Sequence, residues 1–552
     1  MSSLPALTIG GGPWRRERPT AGRQGLEGGV ATAAPEATEA ALEILRFGGN
    51  AVDAAVAAAW ALSVCEPSGS GLGGQTTMLF YRGEGDLRVI DGHSSAPAAV
   101  SLETVSPQQQ RVGHRACTVP STPATLAYAQ RKYGVLTRER VLAPAIRIAE
   151  KGYPISRLQH RQARWVAASL RLSPATSGLF LGDGMPLPVG HVFRQPCLAE
   201  TLRRLAGHGV EDFYRGRMAE AIAEDMRLHD GLLDEQDLAA CALPVEREPI
   251  FVSYRGFHVA SVPPPGGGLQ VLLALKILER LLPSNVIPGS EDWYEAVARA
   301  TYASFRDREN LPLRPADFTA EIRRWFFDEE RLREAAAELP DLVSTGPERA
   351  SAETAGETTH LTAADGAGNI VALTQSIQSV FGAKVANPRL GFLYNNYLRS
   401  CRRGPHVNGL AGNCLPQSNA APTLVFRDTP RGRIPCLALG AAGSRRITSS
   451  IVQVISSVID RGLTAMDAVA APRIHALLSR KIWIEEAAAG PRLLDRLSQD
   501  FRRIKVKPSR SYKMGSVQAL QWSPTGTVLG AADPRRDGSV AAFPEARRQE
   551  KP

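Results

Sequence analysis

The sequence lacks the cysteine and histidine spacings that bind structural metals or cross-link small secreted domains. Its 552 residues include 7 cysteines and 10 histidines, with no C-x-x-C pair and no H-E-x-x-H segment. A disulfide framework uses an even set of cysteines, and a zinc site needs clustered ligands. We therefore expect no metal, no cofactor and no disulfide framework, which fits a reducing compartment.

Long hydrophobic runs are also missing. The most apolar stretch, residues 51–65, reads AVDAAVAAAWALSVC and contains Asp53. A membrane-spanning helix needs about 20 apolar residues, so this stretch predicts a buried helix instead. The first twenty residues lack a basic region followed by an apolar core, so no signal peptide is predicted. A cytoplasmic protein with no membrane partner is expected.

Compact basic blocks are absent, although the net charge is +10. Because there is no Lys/Arg block, RNA-binding signature or C2H2 spacing, we do not expect nucleic acid as a partner. A basic surface could attract anionic small substrates instead. The remaining composition, 43% hydrophobic and 22% charged, is typical of a core-forming protein with one large or several smaller domains.

Helical and strand-like segments both occur along the chain, which predicts an α+β protein with sheets layered against helices. Residues 1–27 are rich in Gly, Pro and Arg and are expected to be flexible. Residues 120–240 have mostly helical patterns, and residues 340–357 predict an exposed polar loop. After Thr358, strands alternate with turns.

The segment GSGLGG, Gly69 to Gly74, matches the dinucleotide-binding pattern G-x-G-x-x-G. That site needs a strand before the glycines and a helix after them. Here an Ala-rich helix precedes them and a strand follows, so a tight loop beside a pocket is favoured over a cofactor site.

The segment GETTH, residues 356–360, has two interpretations. Threonines commonly open strands, and DGAGN at 365–369 predicts the turn of a hairpin. Alternatively, peptide cleavage before Thr358 would give an N-terminal threonine whose own α-amine activates its hydroxyl. Similarly, ALGAAGSRRIT at 438–448 is either a plain strand–helix turn or one whose consecutive N–H groups hold an oxyanion.

Taken in order, these segments resemble the γ-glutamyltransferase (glutathione hydrolase) family of N-terminal-nucleophile hydrolases. The resemblance runs from about residue 28 to residue 543. The segments that carry it include ALEILRFGGNAVDAAVAAAWALSVCEPSGSGLGG, PPPGGG, TTHLTAADGAGNIVALTQSI, GFLYNNYL, AAGSRRIT, MGSVQAL and GAADPRRDGSVAAF.

The resemblance implies a four-layer αββα sandwich and a precursor that cleaves itself between Glu357 and Thr358. A large chain, 1–357, and a small chain, 358–552, would then pair as a heterodimer. Thr358 would form an acyl-enzyme with an amide substrate, and water or an amine would take the acyl group. The resemblance also assigns the oxyanion donors to Gly443 and Ser444, and the hydroxyl that supports the nucleophile to Ser376.

The donor pocket departs from the family pattern at several positions. His93 stands where the family has an arginine for the donor's α-carboxylate, and a neutral imidazole lacks the guanidinium fork. Ser400 replaces the aspartate that binds the α-amine. Gln378 replaces an asparagine, and Ser418 and Asn419 replace two serines. Several arginines near these segments could supply a new anchor: Arg399, Arg402, Arg403, Arg445 and Arg446.

Three functions follow from this pattern. One is an enzyme that cleaves γ-glutamyl amides through altered contacts. Another is an amidohydrolase acting on a different acyl amide, as in acylase-like or oxamate-amidohydrolase-like branches. The third is an uncleaved, non-catalytic scaffold, against which the retained Thr358, Thr359 and His360 argue.

Overall fold

The computed structural model describes residues 23–25, 28–83, 85–241, 243–283, 285–337, 356–430 and 432–543. Its strands, in chain order, are β1 (Arg23–Gly25), β2 (Gly28–Thr32), β3 (Gln75–Tyr81), β4 (Leu87–Gly92), β5 (Tyr153–Pro154), β6 (Leu181–Gly182), β7 (Met185–Pro186), β8 (Val192–Phe193), β9 (Val245–Arg247), β10 (Ile250–Tyr254), β11 (Phe257–Ser261), β12 (Gly356–Ala364), β13 (Ile370–Ser379), β14 (Thr423–Thr429), β15 (Gly432–Ala442), β16 (Ile474–Ala476), β17 (Lys481–Glu485), β18 (Arg503–Lys507), β19 (Ser516–Trp522), β20 (Val528–Ala532) and β21 (Ser539–Phe543).

The α-helices, in chain order, are α1 (Pro35–Arg46), α2 (Ala51–Cys65), α3 (Thr122–Tyr133), α4 (Arg138–Lys151), α5 (Arg157–Leu170), α6 (Pro174–Phe180), α7 (Pro196–His208), α8 (Glu211–Arg215), α9 (Arg217–Leu228), α10 (Glu235–Ala239), α11 (Gly268–Leu281), α12 (Glu291–Asn310), α13 (Ala320–Phe326), α14 (Glu329–Ala337), α15 (Arg446–Arg461), α16 (Ala465–Ala470) and α17 (Pro491–Asp500).

Two seven-stranded antiparallel sheets lie face to face at the centre. Sheet I has the order β21-β2-β12-β13-β3-β4-β9, and sheet II has the order β1-β20-β19-β15-β14-β11-β10. Helices α1 and α2 cover the outer face of sheet I, and α11 and α15 cover that of sheet II. Small and medium apolar side chains from both sheets form the core between them. This is the four-layer αββα sandwich that the resemblance implies, and the α+β prediction is confirmed.

Helix α2 is buried along its whole length, as its apolar sequence predicts. The Asn50 side chain accepts hydrogen bonds from the N–H groups of Val52 and Asp53, each at 3.0 Å. The Asp53 carboxylate accepts one back from Asn50 N–H at 3.2 Å, which completes a capping box. The helix ends at Cys65, so that the glycine-rich loop 69–74 follows a helix and precedes β3, as a tight loop and not as a dinucleotide site.

Strands β12 and β13 form the predicted hairpin. Asp365 Oδ1 accepts hydrogen bonds from the backbone N–H groups of Ala367 and Asn369, both at 3.0 Å, and so closes the turn. The predicted exposed loop is wrong at its end, because Gly356 and Glu357 belong to β12 and the Glu357 side chain is buried. Residues 338–355 lie outside the described residues.

Three residues of the segment 1–27 form a strand. Arg23–Gly25 form β1, which pairs with β20 at the edge of sheet II, because that edge offers free backbone groups. The other residues of 1–27 lie outside the described part of the chain. No helix in that part is long and apolar enough to cross a membrane.

The two sheets touch closely at His360 of β12 and Gly440 of β15. The buried His360 ring contacts the hydroxyl oxygens of Thr374 and Thr362 at 2.8 and 3.1 Å. Burial lowers the pKa of His360 to about 3, so the ring is neutral at pH 7. A Cβ added to Gly440 would lie 2.3 Å from a ring carbon, so the absence of a side chain here lets the sheets approach.

Gly440→Ala is therefore expected to destabilise the protein by about 1–3 kcal/mol, because the buried ring must move to admit the methyl group. The thermal unfolding midpoint measures this loss. Gly207→Ala in α7 is the matched control, because a Cβ there meets no atom within 4 Å. An equal midpoint for Gly440→Ala and the wild type would contradict the close contact.

Candidate functional site

Thr358 lies at an irregularity in the β12–β13 ladder. Glu357 pairs with Gln378 and Thr359 pairs with Gln375, so that Thr358 alone faces two residues of β13. Such a bulge bends its strand and redirects side chains, and Gln378 accordingly has a positive φ of 79°. The Thr358 side chain is held inside the fold with 6% exposure.

A chain of hydroxyl groups joins Thr358 to the peptide bond before it. Thr358 Oγ1 donates a hydrogen bond to Ser376 Oγ at 3.1 Å. Ser376 Oγ donates in turn to the carbonyl oxygen of Glu357 at 2.7 Å, and it accepts from Gln378 N–H at 2.9 Å. The extra residue in β13 thus places Ser376 between a hydroxyl that can attack and the carbonyl that would be attacked.

This arrangement suits acyl transfer from Glu357 to Thr358. A hydrogen bond to the carbonyl oxygen polarises the carbon and stabilises the oxyanion that attack would create. The same serine hydroxyl accepts a hydrogen bond from Thr358 Oγ1. One side chain therefore contacts both the attacking hydroxyl and the carbonyl.

Glu357 itself is buried against a guanidinium group. Its Oε2 lies 2.5 Å from Arg536 Nη1, with both side chains almost fully inaccessible. Arg536 Nη1 also donates to the Thr358 carbonyl oxygen at 3.4 Å. Burial raises the pKa of Glu357, although the charges of Arg536 and Arg446 oppose that rise. Burial also lowers the pKa of Arg446, to about 10.

The turn after β15 contains two consecutive residues with positive φ. Gly443 and Ser444 have positive φ values of 122° and 59°, and Arg446 N–H donates to the Gly443 carbonyl at 3.2 Å. A Cβ on Gly443 would lie 3.0 Å from Gly515 Cα and 3.4 Å from Arg446 Nε. Glycine is therefore required here, and Arg446 links this turn to the region of Glu357.

Of the predicted donor-pocket residues, Gln378 and Ser400 lie together. Gln378 Nε2 donates to Ser400 Oγ at 2.5 Å, and Ser400 ends a 3₁₀ turn that begins at Tyr397. Gln378 also contacts Ser376 through its backbone N–H. The Gln378 backbone is therefore two hydrogen bonds from the Thr358 hydroxyl, through Ser376, and Ser400 is joined to it through the Gln378 side chain.

Ser418 and Asn419 form a second group, held by the half-buried Arg308. Arg308 donates to Asn419 Oδ1 at 2.8 Å and to the Ser418 carbonyl at 2.6 Å. The backbone of Ser418 donates to Pro265 in the PPPGGG loop at 3.1 Å. The side-chain oxygen of Asn419 is therefore occupied by its hydrogen bond with Arg308.

The His93 side chain contacts Asp91. Its imidazole and backbone N–H both contact the Asp91 carboxylate, and Arg247 Nε lies 2.7 Å from the other oxygen of Asp91. Burial would raise the pKa of Asp91, but its contacts with His93 and Arg247 lower it below its usual range. The Nε2 atom of His93 is buried and has no hydrogen-bond partner among the described residues.

The five arginines considered as anchors for a substrate carboxylate have different partners in the structure. Arg402 and Arg445 both contact Glu309, and Arg403 donates to the carbonyls of Leu102 and Val105. Arg399 is half-buried in the neighbourhood of Arg111. Arg446 is the one whose charge acts on Glu357.

Three residues near the site were not predicted from the sequence. The Tyr397 hydroxyl lies beside Ser376 and Ser418, and burial raises its pKa to about 12. The Glu66 carboxyl lies beside Thr359, and burial raises its pKa to about 8. Arg536 lies in the GAADPRRDGS segment, whose paired arginines were a visible signal without an assigned role.

His114, Asp225 and His229 offer potential metal-ligand atoms within 4.8 Å of one another. However, the two imidazole rings are stacked, with centroids 4.5 Å apart and planes inclined by 7°. A metal bound to a histidine nitrogen lies near the plane of that ring, so nearly parallel rings do not share one ion in this arrangement.

Comparisons with known proteins agree with this geometry. A family model described as gamma-glutamyltranspeptidase matches residues 37–543. The glutathione hydrolase proenzyme of Escherichia coli (strain K12) is 31% identical, over 95% of this chain and 92% of that protein. The acylase ACY 1 proenzyme of Pseudomonas sp. (strain SE83) is 32% identical, over 96% of this chain and 95% of that protein.

Solved structures show the same fold. The cephalosporin acylase from Bacillus halodurans superposes with a TM-score of 0.85 at 28% identity, covering 99% of this chain and 100% of that chain. A gamma-glutamyltranspeptidase from Helicobacter pylori gives a TM-score of 0.52 at 28% identity, covering 55% of this chain and 89% of that chain. Similar proteins thus include both glutathione hydrolases and acylases.

Proposed function

This chain belongs to the gamma-glutamyltranspeptidase family, and from that premise we propose that it is a proenzyme that cleaves itself between Glu357 and Thr358. The enzyme is an amide hydrolase or acyltransferase, as its relatives are. The observation that carries the assignment of the nucleophile is the relay from Thr358 Oγ1 through Ser376 Oγ to the Glu357 carbonyl.

Self-cleavage begins when Thr358 Oγ attacks the carbonyl carbon of Glu357. A C–O ester bond forms, the C–N bond to Thr358 breaks, and the hydroxyl proton ends on the new α-amine. Water then hydrolyses the ester, which leaves a carboxylate on Glu357 and a free hydroxyl on Thr358. The products are a large chain, 1–357, and a small chain, 358–552, which remain paired as a heterodimer.

Turnover repeats this chemistry on an external amide. The free α-amine of Thr358 takes the hydroxyl proton as Oγ attacks the substrate carbonyl. The N–H groups of Gly443 and Ser444 stabilise the oxyanion, and the leaving amine departs with the proton. Water or an acceptor amine then takes the acyl group from Thr358.

The main candidate donor is a γ-glutamyl amide, as for the glutathione hydrolase relatives. A second candidate donor is another acyl amide, as for the acylase relatives. The side chains at the expected donor-pocket positions favour this candidate. His93 is committed to Asp91, and Ser400 presents a neutral hydroxyl to Gln378. Neither supplies the charge that an α-carboxylate or α-amine would pair with.

Intact-mass measurement of the purified protein tests the proposal first. Two chains that begin at Met1 and Thr358 are expected, and one uncut chain after long incubation would contradict the mechanism. The processed protein is then assayed with γ-glutamyl-p-nitroanilide and with acyl anilides that lack the α-amine. Turnover of the second set alone would exclude the γ-glutamyl specificity and keep the acyltransferase chemistry.

A further inference from the structure

Two cysteine thiols meet at the edge of a small apolar cluster. The Sγ atoms of Cys401 and Cys414 lie 3.4 Å apart, and both cysteines are free. Cys401 is buried in the cluster, among apolar side chains that include Leu398 and Leu410. Cys414 packs against the outside of the cluster and is partly exposed. The pair therefore has one thiol that a small molecule can reach from solvent and one that is shielded.

The two thiols differ in acidity as well as in access. The hydrogen bond with Cys401 lowers the pKa of Cys414 to about 7, although burial opposes the fall. The same hydrogen bond and burial raise the pKa of Cys401 well above its usual range. Because the thiolate is the nucleophilic form of cysteine, Cys414 is the sulfur that reacts, with a protonated thiol beside it.

Backbone hydrogen bonds hold the two cysteines next to each other. Gln110 Nε2 donates to the Cys401 carbonyl at 2.8 Å, and Cys401 N–H donates to the Leu398 carbonyl at 3.0 Å. The Cys414 carbonyl accepts from Ala96 N–H at 2.9 Å. A disulfide bond is about 2.0 Å long, so the two sulfurs need to approach by only about 1.4 Å to form one.

We propose that Cys401 and Cys414 are a reversible modification site, which a hydroperoxide oxidises to a disulfide, with Cys414 as the reacting thiol and Cys401 as the resolving thiol. Cys401 directly follows Ser400, whose hydroxyl contacts Gln378, so the disulfide closes the loop 402–413 beside the predicted donor-pocket residues. The inference goes beyond the proposed function and does not depend on it, because both cysteines lie on the same side of the proposed cleavage.

The oxidation proceeds in two balanced steps. The Cys414 thiolate attacks one oxygen of hydrogen peroxide, so that an S–O bond forms, the O–O bond breaks and hydroxide leaves. The Cys401 sulfur then attacks the sulfur of the Cys414 sulfenic acid, so that an S–S bond forms and the S–O bond breaks. The departing hydroxide takes the Cys401 proton and becomes water. Peroxide is thereby reduced by two electrons, and an external dithiol such as dithiothreitol reduces the disulfide again.

Peptide mapping of the wild-type protein after treatment with hydrogen peroxide tests the site. Trypsin cuts at Arg402 and Arg403, between the two cysteines, which therefore fall in the separate peptides 400–402 and 404–427. We expect these two peptides to be linked until dithiothreitol separates them, with the loss of two alkylatable thiols from the seven that are free beforehand. Continued alkylation of both cysteines, overoxidation without the link, or a link to a third cysteine overturns the proposal.

Two variants assign the roles of the thiols. In Cys401→Ser the sulfenic acid of Cys414 has no resolving thiol, so it should persist and be labelled by a cyclic 1,3-dione. Cys414→Ser should give no label on Cys401, because that buried thiol stays protonated. Cys197→Ser, which removes an exposed cysteine from α7, is the control and should form the linked peptides at the wild-type rate. Labelling of Cys401 in Cys414→Ser, or loss of the link in Cys197→Ser, overturns the assigned roles.

Hydrogen exchange measures the effect of the disulfide on the loop. A cross-link that closes a short loop removes open conformations, so we expect the amides of residues 402–413 to exchange about tenfold more slowly in the oxidised protein. Equal exchange in both forms overturns the effect on the loop. These measurements use the wild-type protein, so the proposal stays testable even if a variant does not fold. An uncut chain that forms the disulfide would contradict the proposed function and support this inference.

Discussion

Thr358→Ala is expected to yield one uncut chain of 59.3 kDa with no amide turnover. The substitution removes the Oγ that we propose attacks Glu357 in the precursor and the substrate in the processed enzyme. Loss of a catalytic nucleophile commonly lowers kcat by at least about 10³-fold. Intact-mass measurement after long incubation and an anilide assay report the two effects separately.

Two variants serve as controls for this result. Thr358→Ser keeps a hydroxyl and should still process and turn over substrate, at a reduced rate. Thr359→Ala removes the neighbouring hydroxyl, which lies beside Glu66 and not beside Ser376, and should still be cut at the same bond. Cleavage of Thr358→Ala at the Glu357–Thr358 bond would disprove the assigned nucleophile.

Ser376→Ala is expected to slow self-cleavage by about 10²–10³-fold, which is the usual cost of removing one oxyanion donor. The alanine can neither donate to the Glu357 carbonyl nor accept from the Thr358 hydroxyl, so both contacts of the relay are lost. The half-time for the appearance of two bands on a denaturing gel measures the effect.

Ser376→Thr preserves the hydroxyl and should restore most of the cleavage rate. Ser379→Ala lies on the same strand, where Ser379 Oγ accepts from Asn396 Nδ2 instead of contacting Thr358, and it controls for removing a buried hydroxyl from β13. If Ser376→Ala matures as fast as Ser379→Ala, the hydroxyl relay is not part of the reaction.

The β12–β13 hairpin could be predicted because its determinants are local. The turn residues Asp365 to Asn369 and the strand-forming residues on each side all lie within one short segment. Helix α2 was predictable for the same reason, since its cap and its apolar residues are adjacent in sequence. The order of segments along the chain then gave the family and, through it, the four layers.

The environment of Glu357 could not be predicted, because its partner Arg536 is 179 positions away. From composition, a glutamate in a polar run belongs in solvent, and only the folded chain brings a buried guanidinium to it. The bulge that lifts Ser376 toward Thr358 is equally invisible in the sequence, since it depends on how two strands pair.

The donor pocket shows the same limit. The sequence indicated that His93 and Ser400 replace two charged residues, but it offered five arginines as equal substitutes. Packing separates them, because Arg402 and Arg445 contact Glu309 while Arg446 lies near Glu357. Which of these arginines lies near Glu357 depends on segments distant in sequence, so only the structure distinguishes them.

Each seven-stranded sheet contains strands from both sides of the Glu357–Thr358 bond, and this affects how the protein can assemble. On either side of the Glu357–Thr358 bond, the two parts of the chain alternate within the sheets: β2 pairs with β12 and β21, β3 with β13, β1 with β20, and β11 with β14. Neither part holds all the strands of either seven-stranded sheet. The uncut chain folds in a unimolecular reaction, whereas the two chains of the proposed cleavage would have to find each other again in a bimolecular reaction that slows on dilution.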